Sequence, residues 1–266
     1  MNLLKEKTSL KKLLSNILST TTGIYSIAVK NLTTSQQLTI TPVRLRSASL
    51  IKIFIMIEAF RQADLGQLNL AEEQLILAAD QVGGAGPLEV VPPGTKQTWY
   101  QLIELMITES DNTATNILIN KISQGAINAT IRSLGCHDTT LQRKMMDFTS
   151  AEQGLENYTS VTDITSVLEK LYFHRCLSPK RDQEMLNILK NQQDRCKIPQ
   201  GLPEEIIVAN KTGELDGVEH DAGIVYHPDN PFIITIMTEA LPDAIKGQAI
   251  IAELTKTVYH NLHTMD

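Results

Sequence analysis

The sequence predicts an α/β fold of the α+β kind. One antiparallel sheet is assembled from both chain ends, with flanking helices and an all-helical region inserted between its halves. Three observations predict it. Apolar residues alternate with a period of two near residue 25, and the same pattern returns after Pro203. Between about residues 49 and 190 the apolar residues instead stand three and four apart, the spacing of helices with one buried face. No internal repeat divides the 266 residues, a length sufficient for one or two domains and a large core.

Each element follows from its local pattern. Residues 2–17 suit an amphipathic helix. Tyr25, Ile27 and Val29 alternate with Ser26, Ala28 and Lys30, which predicts a half-buried strand, and Gln37–Ile40 completes a hairpin after a Thr-rich turn. Helices are expected over Leu50–Ala63, Thr98–Thr108, Asn112–Ile122 and Val161–Phe173. A loop at Gly83–Thr95, marked by Gly83, Gly84, Gly86, Pro92, Pro93 and Gly94, separates the first helix from the rest. Strands are expected over Ile206–Ala209, Gly223–Tyr226 and Phe232–Thr238, the last two joined through Pro228-Asp229-Asn230. A closing helix should bury Ile250, Leu254, Val258 and Leu262. The chain thus divides into a sheet-containing part, residues 1–40 and 201–266, and a helical part, residues 41–200, with the cleft between them as the candidate site.

Composition excludes several classes of function. Hydrophobic residues make up 42% and charged residues 20%, which is ordinary globular usage and not that of a disordered chain. The net charge is −6, and no Lys/Arg stripe breaks the acidic balance, so neither nucleic acid nor an anionic membrane is an expected partner. No apolar run approaches the roughly 18–20 residues that span a bilayer. Lys5, Lys7, Lys11 and Lys12 resemble the basic start of an export signal, but Ser15, Asn16, Ser19, Thr20, Thr21 and Thr22 make the following stretch too polar for one. Cys136, Cys176 and Cys196 are odd in number and lack metal spacing, so no disulfide framework is expected. His260 and His263 have no evident third ligand, and Gly83–Gly86 lacks the strand-to-helix setting of a nucleotide loop, so neither metal nor cofactor is expected.

Three short motifs carry chemistry. Ser49-Leu50-Ile51-Lys52 opens a helix and sets a hydroxyl and an amine one turn apart on one face. A serine is a weak nucleophile until a neighbour takes its proton, and a lysine can do so when burial and nearby positive potential lower its pKa. Alone this spacing says little, since Ser9-Leu10-Lys11-Lys12 repeats it and Ser49 could simply cap a helix. Ser110-Asp111-Asn112 falls in a break between helices, where a second hydroxyl could relay a proton and an amide could bond a substrate carbonyl. The same residues would also cap a helix, but chance supplies only ~0.04 copies of this triplet. Lys211-Thr212-Gly213 follows a strand; Lys and Thr can grip a carboxylate and Gly admits close approach, although a strand end entering a turn looks the same. All three in order, with 61 residues from Ser49 to Ser110 and 101 from Ser110 to Lys211, should arise in well under ~1 in 1000 chains of this composition.

With these motifs, over nearly its whole length, the chain resembles the class A β-lactamases and their penicillin-binding relatives. The resemblance implies the β-lactamase-like fold and a monomeric serine hydrolase acting on β-lactams or acyl-D-alanyl-D-alanine peptides. Ser49 would be acylated, with Lys52 its proton acceptor. Ser110 would pass a proton to the leaving nitrogen, and Asn112 would contact the substrate and the lysine. Lys211, Thr212 and Gly213 would form the carboxylate-binding strand. The backbone N–H groups of Ser49 and Glu214 would make an oxyanion hole, worth ~2.7–4 kcal/mol per donor where measured. Such chemistry is expected outside the cytoplasmic membrane, although no export signal is visible.

One departure bears on the outcome. The family's deacylating glutamate stands two residues after an arginine, and Met145 stands there if Arg143 is that arginine. A thioether cannot take a proton from water. Asp147, Glu152 and Glu156 lie nearby and read as solvated loop carboxylates. A penicillin would therefore acylate Ser49 and be released slowly. The runner-up is a D-alanyl-D-alanine carboxypeptidase or penicillin-binding protein. From another class, a sensor would acylate once and signal, which sustained product release would exclude. A serine glutaminase is a further relative by fold. His220 and Asp221 could line the carboxylate side of the site or merely pack within strands, and Trp99 and Tyr100 read as helix-face residues.

Overall fold

The computed structural model describes residues 9–265. The chain runs through α1 (Leu10–Leu18), β1 (Ile24–Asn31), β2 (Gln37–Ile40), β3 (Arg44–Arg46), α2 (Lys52–Asp64), β4 (Glu73–Leu75), β5 (Lys96–Thr98), α3 (Trp99–Thr108), α4 (Asn112–Ile122) and α5 (Gln124–Ser133). It continues through α6 (Phe148–Glu152), β6 (Tyr158–Ser160), α7 (Val161–Tyr172), α8 (Pro179–Lys190), β7 (Val208–Leu215), β8 (Val218–Val225), β9 (Phe232–Glu239) and α9 (Ala244–Asn261). The five-stranded sheet has the order β2-β1-β9-β8-β7, antiparallel throughout. The first two strands thus join the last three in one sheet, as the two-ended pattern predicts.

Two cores flank that sheet. On one side α1 and α9 cover Tyr25, Ile27, Val29, Ile234 and Ile236 with Leu10, Leu14, Leu254 and Val258. Ile251 is the buried member of that stripe, while Ile250 is only half-buried. The expected first helix is present from Leu10, and residues 2–8 of that expectation lie outside the described ones. On the other side α7 packs on β1 and β9, and Thr165 bonds Thr235 at 2.9 Å through the sheet face. Ser26 and Ala28 are therefore fully buried too, so β1 is covered on both faces where the alternation predicts one. Small side chains on that face let the helix approach closely, which polarity alone does not reveal.

The helical core centres on α2, whose run Ile53–Phe60 is fully buried. A helix buried all round belongs inside a bundle, and each of its large apolar side chains contributes about 1.5–3 kcal/mol on burial, while the one carboxylate in the run, Glu58, is satisfied by Arg61, Gln62 and Thr130. Helices α3, α4 and α5 surround it. Thr98 and Gln101 form a reciprocal capping box at α3, and Asp111 caps α4 by accepting from Ala114 N at 2.7 Å. Strand β7 differs from expectation: it starts at Val208 and runs on to Leu215, paired with β8 over its full length. Lys211-Thr212-Gly213 consequently lies inside an edge strand instead of at a strand end. Among the described residues no helix is long and apolar enough to cross a membrane.

Candidate active site

A cleft of about 360 Å³ is lined by Ser49, Ser110, Asn112, Thr212, Gly213 and Glu214 together with Met145, Met146 and Phe148. All three sequence motifs therefore meet at one place. The chain reaches Ser49 through a 3₁₀ turn, Ala48–Ile51, that passes directly into α2 at Lys52. In a 3₁₀ turn residues i and i+3 eclipse one another, so the local winding sets Ser49 and Lys52 in line. Ala48 holds a left-handed φ of 43° and Ser110 one of 55°, strained positions for residues with a Cβ, and both border the cleft.

Lys52 is completely buried. Its Nζ lies 2.6 Å from Ser110 O, 2.9 Å from Asn112 Oδ1 and 3.1 Å from Ser110 Oγ. Burial and the charge of Lys211 hold its pKa well below the ordinary lysine value, against an upward pull from Asp111. The two carbonyl oxygens only accept, so they take two N–H groups of a neutral amine and leave its lone pair free for a hydroxyl proton. Asn112 is oriented for this by Gly83 O, which accepts from its Nδ2 at 2.9 Å, while Ala85 O accepts from its backbone N at 3.0 Å. The Gly-rich loop is thus the clamp on Asn112. Gly86 within it has φ 94°, and a Cβ there would lie 2.2 Å from Asp111, so no other residue fits.

Lys211 is also fully buried and donates to Ser110 Oγ at 3.1 Å and to Thr212 O at 2.9 Å. Burial, aided by the charge of Lys197, brings its pKa down to about 7. The two amines thereby share the Ser110 hydroxyl between them. Gly213 makes room for the chain itself: a Cβ there would stand 3.1 Å from both Ala48 Cβ and Ser49 N. Edge strand β7 is pressed against the Ser49 turn at that point, and this brings Glu214 to the cleft.

Met145 also lines this cleft, and Asn116 grips its backbone on both sides: Oδ1 accepts from Met145 N at 2.8 Å and Nδ2 donates to Met145 O at 3.0 Å. Glu156 is not a solvated carboxylate. It forms a two-pronged pair with Arg143, at 2.9 and 3.0 Å, with both side chains largely buried. Asp147 is committed as the cap of α6, bonding Ser150 N and Oγ, and Glu152 is exposed.

His220 and Asp221 take the packing alternative. His220 Nδ1 accepts from Thr238 N at 3.0 Å, which assigns the proton to Nε2 for donation to Arg46 O at 2.8 Å, and burial depresses its pKa to about 4. Asp221 is buried, accepts from Ile198 N and Asn210 Nδ2, and is pushed up to about 7 by desolvation. Trp99 is buried and Tyr100 packs edge-on against Phe60. The three cysteines are free. Sequence reasoning missed Asn116, and it missed Lys197, a buried lysine set among Asp194, Glu214 and Glu219. Neither belongs to a motif, and no local pattern could have singled them out.

An antiparallel sheet fed from both chain ends, with Ser–Lys, Ser-Asp-Asn and Lys-Thr-Gly groups converging beside a helical core, defines the class A β-lactamase-like fold. The chain matches the β-lactamase enzyme family over residues 9–262, and it belongs to that family. It is 30% identical over 193 residues to a β-lactamase of Streptomyces albus G, an alignment covering 69% of this chain and 61% of that protein. The structure superposes on a β-lactamase from Sphaerobacter thermophilus with a TM-score of 0.89 and 29% identity, over 97% of this chain and 98% of the other. It is similar to PBP-A as well, with a TM-score of 0.88 and 25% identity over 96% of both chains.

Proposed function

We propose that this protein is a serine hydrolase of β-lactams that forms an acyl-enzyme at Ser49 and releases it slowly. The observation that carries this reading is the buried Lys52, bonded to Ser110 and Asn112 with its pKa held down beside the cleft-lining Ser49. In the first step the neutral Lys52 amine takes the Ser49 proton as Oγ bonds to the lactam carbonyl carbon. The resulting oxyanion receives the Ser49 and Glu214 N–H groups. As the C–N bond breaks, Ser110 gives its proton to the leaving nitrogen and regains one from Lys52. Lys211 and Thr212 hold the substrate carboxylate, and Asn112 the amide carbonyl.

Hydrolysis of the ester then requires a base for water. The protein has a thioether at Met145, and the neighbouring carboxylates Glu156 and Asp147 are engaged in an ion pair and a helix cap. Slow release follows. The same observation, with the likeness to PBP-A, favours a second reading, a D-alanyl-D-alanine carboxypeptidase or penicillin-binding protein sharing this first step. We read residues 1–40 and 201–266 as one working unit and 41–200 as the other, with the cleft between them. A labelled penicillin should attach covalently to the wild type and leave Ser49→Ala unmarked. Labelling that survives this substitution would overturn the assignment. Turnover of a chromogenic cephalosporin against that of a D-alanyl-D-alanine peptide separates the two readings.

A further inference from the structure

Outside the motifs, a cluster of charge stands at the Glu214 end of the cleft. Lys197 is completely buried, and its Nζ lies 2.5 Å from Glu214 Oε1, 3.2 Å from Asp194 Oδ2 and 2.9 Å from Glu219 Oε2. The Glu219 contact is one of charge alone, outside hydrogen-bond geometry. Glu214 and Glu219 sit directly opposite each other in the β7–β8 register. Like charges at such a position repel and destabilise the pairing. Here the pair stands just before the turn of an edge strand, with only Leu215 and Val218 paired beyond it. Among the described residues no further strand pairs with β7 on its far side. Burial works against a charged Lys197, yet Asp194, Glu214 and Glu219 together hold its pKa above the ordinary lysine value. Asp194 in turn is held down at about 2, against burial, by the lysine's charge.

We propose that Lys197 is a positioning residue, a charge clasp that binds the opposed Glu214 and Glu219 and so keeps the Glu214 backbone N–H aimed into the oxyanion hole. This rests on the acyl-enzyme reading above for its catalytic consequence. With three carboxylates on one ammonium, Lys197 is occupied within the protein and does not serve as a substrate-carboxylate ligand. Its removal leaves two facing anions at the end of an edge strand, and the strand relieves them by splaying. The N–H of Glu214 moves with it, whereas Ser49, Lys52 and Ser110 stay where the 3₁₀ turn, α2 and the α3–α4 junction hold them.

The test is a charge-rescue series followed by penicillin acylation kinetics and thermal unfolding. Lys197→Met should slow the acylation step roughly 10- to 100-fold, part of what a lost oxyanion donor costs. The dissociation constant of the encounter complex should change less than about threefold, because Lys211 and Thr212 still hold the carboxylate. Adding Glu214→Gln or Glu219→Gln to Lys197→Met should restore most of the rate and of the Tm. The clasp is refuted if Lys197→Met acylates at the wild-type rate. It is also refuted if the loss lies in the dissociation constant and neither Gln substitution repairs it, which would make Lys197 a substrate ligand. If Lys197→Met does not fold, a double variant that folds and acylates supports the clasp, and one that also fails overturns it. If the wild type is not acylated at all, the functional reading falls. Recovery of Tm by the Gln substitutions then decides the clasp by itself.

Discussion

On the proposed mechanism, replacing Met145 with glutamate would supply a general base for release of the acyl-enzyme. The position is ready to receive it. Asn116 holds the Met145 backbone at both N and O, and Asn157 holds the same loop through Gln142 N, Arg143 N and Arg143 O. A new side chain would therefore start from a fixed backbone and enter the cleft that Ser49 lines. A positioned general base is worth ~10²–10⁴ in rate, or about 2.7–5.4 kcal/mol of barrier. Two features reduce that gain. Met145 is only 9% exposed, so the carboxylate is partly desolvated. Its charge would also raise the pKa of Lys52 and slow acylation somewhat. The expected outcome is a rise of roughly 10²-fold in the deacylation rate constant, with a smaller fall in acylation. Single-turnover mass spectrometry on pre-acylated protein measures the first and stopped-flow acylation the second. A deacylation rate within about threefold of the wild type, at unchanged Tm, would show that position 145 does not face the ester.

Two more predictions follow from the charges. Acylation should rise with pH as Lys52 loses its proton, and binding of a carboxylate-bearing substrate should weaken above about pH 7 as Lys211 loses its charge. Because both amines meet at Ser110, the pH–rate profile should be bell-shaped, with limbs belonging to the coupled pair; a flat profile between pH 5 and 9 would contradict this. Arg143→Ala leaves Glu156 largely buried without its ion-pair partner and should cost about 3 kcal/mol, seen as a fall in Tm together with faster proteolysis of the loop between residues 142 and 157. An unchanged Tm would mean that Asn157 alone holds the loop.

Much of the site was legible in the sequence because its working pairs are local or are marked by unusual triplets. The Ser49–Lys52 relation is one turn of winding, and Ser110-Asp111-Asn112 sits at the start of a helix, so residue type and spacing predict where these side chains go. The helix starts near Thr98 and Asn112 follow from apolar spacing, and the structure adds side-chain caps at Thr98 and Asp111. Strand β7 was misjudged at its end. The run Asn210-Lys211-Thr212-Gly213-Glu214 reads as polar and turn-like, and only the complete pairing with β8 shows that it continues as strand.

The class of fold, the three short motifs and the thioether at position 145 can be read along the chain, because each depends on neighbouring residues or on composition. Tertiary structure alone decided what each charge is for. Glu156 could be free or paired until Arg143 closed on it from 13 residues away, and Lys197 is set by partners on two other segments. His220 and Asp221 became packing groups only once their backbone partners were placed. Charge and proton affinity depend on burial and on partners brought close by folding, and neither has a signature along the sequence.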